Sequence, residues 1–121
     1  MFYLAAGLIV LVGLAHSYLG EKYILIRLFR DHDLPKLMGG TEFTKNTLRF
    51  AWHITTLAWF GLALILVSMA DGQLSEQAIG NIIGTTFLTH FLVALVASKG
   101  KHLSWVVFLI ITVATVCAAN S

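Results

Sequence analysis

Charge is scarce in this sequence of 121 residues: Lys, Arg, Asp and Glu make up only 12% of it, about half the share of a soluble domain. Apolar residues reach 58%, more than a soluble fold of this length can hide. A single cysteine, Cys117, excludes an internal disulfide and reads as a small packing residue. Proline occurs once, at Pro35, and together with Gly39-Gly40 it marks residues 31–40 as loop. No Lys or Arg precedes Lys22, so the first apolar stretch lacks the basic start of a cleaved signal peptide and is expected as a retained span. Motifs of metal enzymes are missing too: there is no His-Glu-x-x-His, no Glu-x-x-His pair and no pair of cysteines. The net charge of +2 gives no footprint for nucleic acid.

The few charges fall in three islands, Glu21 to Arg49, Asp71 to Glu76 and Lys99 to Lys101. Around them run four uncharged stretches, 1–20, 50–70, 77–98 and 103–121, each near the ~20 residues a helix needs to cross ~30 Å of hydrocarbon. In lipid the backbone must satisfy its own hydrogen bonds, and runs this long suit helices rather than barrel strands. The expected fold is therefore all-α: one integral membrane domain over 1–121, a compact up-down-up-down four-helix bundle. Its spans are placed at about 2–20, 48–70, 77–98 and 103–119, with helix 1 continuing to about residue 30. Thr41 or Thr44 is expected to start helix 2, Asp71-Gly72 to turn the chain, and Ser75 to cap helix 3. Gly100 is expected to end helix 3. The spacing Gly80-x-x-x-Gly84 is a weak helix-packing signal.

All eight basic residues lie in the first and third islands and none in the second. Under the positive-inside rule both basic connections face the cytoplasm and both termini lie on the other side, as in a bacterial inner membrane.

Polar residues inside the spans are the only functional pointers. His16, His53 and His90 come from three different helices, at depths of roughly 7, 6 and 13 Å below the charged layer at ~1.5 Å per residue. Three imidazoles at one level can close around a transition-metal ion. Two of them can instead ligate haem b, with Gly13 and Gly20 leaving room for the macrocycle. Glu21 and Arg49 form the best candidate ion pair at the mouth, where Glu21 orients His16 or accepts a proton. His102 borders the same surface. The plainer reading is that each histidine hydrogen-bonds a neighbouring Thr, Glu or carbonyl and glues two helices together. Trp52 and Trp59 read as packing or interfacial aromatics, Trp105 as part of an aromatic belt. His32, between Asp31 and Asp33, reads as loop before surface metal site.

Two strings, His16-Ser17-Tyr18-Leu19-Gly20-Glu21 and Arg49-Phe50-Ala51-Trp52-His53 with Ile54-Thr55-Thr56, give the chain a resemblance to a group of small four-span bacterial inner-membrane proteins. The resemblance implies that the strings act together and attaches no activity. Two functions stay open: an intramembrane histidine site holding a metal or haem, or a non-enzymatic accessory or assembly subunit docking on other membrane subunits or on itself. A proton- or ion-coupled carrier fits less well, because the outer halves of the spans hold only Thr, Ser, Asn and Gly as polar groups.

Overall fold

The computed structural model describes residues 1–30 and 33–121, and among these every regular element is helical. Helix α1 spans Phe2–Leu28, α2 Glu42–Ala70, α3 Glu76–Ser98 and α4 Ser104–Ala119. The first three are long and apolar enough to cross a membrane. Helix α4 is equally apolar but has 16 residues, about 24 Å at ~1.5 Å per residue, short of the expected full span. His32 lies outside the described residues.

Local chemistry explains most boundaries. Ser75 caps α3, its hydroxyl accepting from the Ala78 amide at 3.0 Å. Gly72, at φ +67, turns the chain after α2, where a side chain would be strained. Helix α2 starts one residue after Thr41, yet among the described residues the Thr41 hydroxyl makes no capping bond. Thr44 instead ties the helix to the preceding loop, donating to the Pro35 carbonyl at 2.7 Å. Within α1 the ladder widens to a π-helix over Gly20–Leu25. The His16 carbonyl there accepts from both the Gly20 amide and the Trp52 indole. A side chain inserted into the ladder is a known cause of such irregularity.

The packing departs from the expected compact bundle. Among the described residues α1 packs only on α2, α2 on α1 and α3, and α4 only on α3. The helices thus stand in a row, in chain order, and the row does not close. Lipid tails are as apolar as leucine, so no hydrophobic force draws α1 onto α4. Contacts form instead where backbones come close or polar groups meet. Gly13 of α1 faces Phe60 and Thr56, Gly61 of α2 faces Thr86, and Gly80 and Gly84 face Ala119 and Val116 of α4. Buried polar side chains (Thr56, His90, Ser98, Thr112) join Ala6, Phe50, Ala63 and Ala94 at these seams.

Candidate functional site

On α1, Ser17 and Glu21 stand one turn apart, and on α2 Arg49, His53 and Thr56 follow at successive turns. The two stripes meet. His53 Nδ1 lies 3.0 Å from Ser17 Oγ, and its Nε2 lies 3.3 Å from Glu21 Oε2. Arg49 grips the same carboxylate with a fork, Nη2 to Oε1 at 2.9 Å and Nε to Oε2 at 3.2 Å. In the other direction Ser17 Oγ meets Thr56 Oγ1 at 2.8 Å, and Thr56 donates to the Gly13 carbonyl at 3.1 Å. One continuous chain therefore runs Arg49–Glu21–His53–Ser17–Thr56–Gly13. It begins half exposed, with 44% of the Arg49 side chain accessible, and ends at the buried Thr56.

Counting hydrogens gives this chain its chemistry. Four contacts link Glu21, His53, Ser17, Thr56 and the Gly13 carbonyl, and each needs one hydrogen between its two heavy atoms. An ionised carboxylate and a carbonyl supply none, each hydroxyl supplies one, and neutral imidazole supplies one. The total is three, one short. Imidazolium supplies two, and all four contacts are then made, every hydroxyl donating toward Gly13. A hydrogen shared from a protonated Glu21 completes the count equally well. The network is whole when it holds one extra proton, which can reside on His53 or Glu21. With Arg49, ionised Glu21 and imidazolium, the cluster carries a net +1.

The other sequence candidates go elsewhere. His16 stacks flat on Trp52, with ring centroids 4.6 Å apart and planes 2° from parallel, and meets Trp59 at 5.1 Å. Its Nε2 is buried without a partner among the described residues. An apolar groove of about 510 Å³ beside it is lined by His16, Leu19, Gly20, Trp52 and Trp59, among others, but not by Ser17. His90 donates from Nδ1 to the Thr86 carbonyl at 2.6 Å and sits between Phe87 and Phe108. His102 pairs with the Ser104 hydroxyl at 2.8 Å and lies against Phe43 and Phe50 at the base of α4.

The expectation that His16, His53 and His90 share an ion thus meets three rings with three separate sets of neighbours. Among the described residues no group of three His, Cys, Asp or Glu side chains is placed to hold a metal. Haem fits no better. Both nitrogens of His53 are committed, and the space expected beside Gly13 and Gly20 is filled by Phe60 and Trp52. Glu21 does pair with Arg49 as expected, but it orients His53 rather than His16. Ser17 entered the sequence reading only as the neighbour of His16 in the first string, and its bond to His53 was missed. The available signal was the match of Ser17 and Glu21, one turn apart, with Arg49, His53 and Thr56. No protein-family model, curated protein or solved structure matches the chain.

Proposed function

We propose that this is a multi-pass inner-membrane protein of bacterial type that takes up and releases a proton at a relay centred on His53. The basic connections α1–α2 and α3–α4 face the cytoplasm in this reading, and both termini lie opposite. The relay then opens to the cytoplasm at Arg49 and Glu21. It ends blind at a backbone carbonyl, so it serves as a proton-holding site rather than a through-channel. The hydrogen count carries the reading: the linked groups lack one hydrogen when His53 is neutral and Glu21 ionised.

Infrared difference spectra of the protein in lipid vesicles, recorded as the pH is lowered, test it. Proton uptake should shift the imidazole bands together with the carbonyl band of ¹³C-labelled Gly13. Thr56→Val should abolish the Gly13 shift and leave the imidazole change. Independent titration of His53, with Gly13 silent in the unmodified protein, refutes the relay.

A second feature favours an accessory role for the same site. The row is open, and the side chains of His53 and Glu21 are 33% and 30% accessible. Partly exposed polar groups at membrane depth call for cover by protein or water. The relay accordingly works as part of a larger membrane assembly, made with other subunits or further copies. Cross-linking from a photoreactive group at Leu57, beside His53 on α2, tests this in whole membranes. Adducts to lipid alone, with none to protein, exclude it.

A further inference from the structure

At the basic end of the molecule, apart from the His53 relay, the α1–α2 loop and the α3–α4 turn enclose a pocket of about 340 Å³. Met38, Glu42, Asn46, Lys99 and Lys101 are among the residues lining it. Among the described residues neither lysine has a carboxylate within ion-pair distance, although Glu42 shares the pocket. Two cations against one carboxylate leave it positive.

The backbone gives a second indication. Lys99 follows the last residue of α3 in the left-handed conformation, φ 52 and ψ 39. Glycine takes that position at no steric cost, whereas a residue with a Cβ is crowded against the following carbonyl. A glycine stands one residue later, at Gly100. A lysine held where glycine is cheaper places a cation on the pocket wall. The first turn of α2 adds favourable polarity, because Thr41 leaves its amides without a side-chain cap. Glu42 sets the remaining preference: a carboxylate beside two lysines accepts a hydrogen bond from a ligand hydroxyl.

We infer that this pocket binds a phosphate group carrying a nearby hydroxyl. The chemistry suits the glycerol-phosphate headgroup of an anionic lipid, and equally a free phosphate anion. Lys99 and Lys101 neutralise the phosphate, while Glu42 and Asn46 take the hydroxyl. Membrane electrostatics at a basic helix end concentrates such lipids there.

Thermal unfolding of the full chain in a neutral detergent tests this, with phosphatidylglycerol, phosphatidylcholine or inorganic phosphate added at constant ionic strength. Phosphatidylglycerol should raise the midpoint and phosphatidylcholine should not. Lys99→Gln with Lys101→Gln should remove most of that rise. Lys99→Gly should raise the ligand-free midpoint by relieving the backbone, yet shrink the response. An equal rise with inorganic phosphate identifies the free anion as the ligand, and a rise confined to the lipid identifies the headgroup; both support the site. No rise with either anion, or a full rise in the double variant, overturns it. His53→Gln should leave the response unchanged, so the outcome is independent of the relay.

Discussion

The indole of Trp52 lies against Gly20 and donates its N–H to the His16 carbonyl at 3.1 Å. The ring is held twice, because His16 also stacks on it. A Cβ at Gly20 would run into the indole, which can yield only by giving up its hydrogen bond and its stack. Gly20→Ala should therefore destabilise the α1–α2 pair by about 1–3 kcal/mol, the usual range for overpacking. A Cβ at Gly7 would meet nothing within 4 Å among the described residues, and Gly7→Ala should be neutral or slightly stabilising. Unfolding of both variants in mixed detergent micelles checks the contrast. Equal effects at the two glycines would show that Trp52 does not fix this contact.

Glu21 holds two partners of different exposure, and their couplings should differ. Arg49 is 44% exposed at the membrane edge, so a double-mutant cycle of Glu21→Gln with Arg49→Gln should give ~0.5 kcal/mol or less after screening. The cycle with His53→Gln, whose side chain is less exposed, should give more, about 0.6–1.7 kcal/mol. Stronger coupling to Arg49 would move the centre of the site out to the surface.

Orientation has its own test. With Cys117 replaced by Ser, a lone cysteine at Ser121 should react with an impermeant thiol reagent from outside intact cells. One at Lys101 should react only after the membrane is opened. The apolar part of α4 spans about 24 Å at ~1.5 Å per residue, so both sites should lie near an interface in a thin bilayer. The opposite pattern would invert the topology and turn the relay toward the outer face.

How far the sequence reaches is clear at particular residues. Ser75, Asp71-Gly72 and the long apolar runs could be read because capping, turning and spanning are local requirements. The Glu21–Arg49 pair was legible because each is the charge that borders a neutral stretch. Closure of the bundle was misjudged, since lipid rewards neither a closed nor an open arrangement and the sequence carries no periodic signal for the choice. Depth alone grouped His16, His53 and His90. Helix rotation separates them, turning His16 onto Trp52 and His90 onto Phe108. Gly80 and Gly84 were a weak pattern that does mark a real contact, with α4. The pairing of His53 with Ser17 needed the relative rotation of two helices, which spacing within one helix does not contain.

Solid-state NMR of ¹⁵N-histidine-labelled protein in bilayers addresses the relay most directly. As His53 gains its second ring hydrogen, correlations should be present at once from Nδ1–H to the Ser17 side chain and from Nε2–H to the Glu21 carboxyl carbon. The Gly13 carbonyl should move in the same step. A His53 ring that is doubly protonated yet contacts neither residue, or that leaves Gly13 unmoved, would contradict the account.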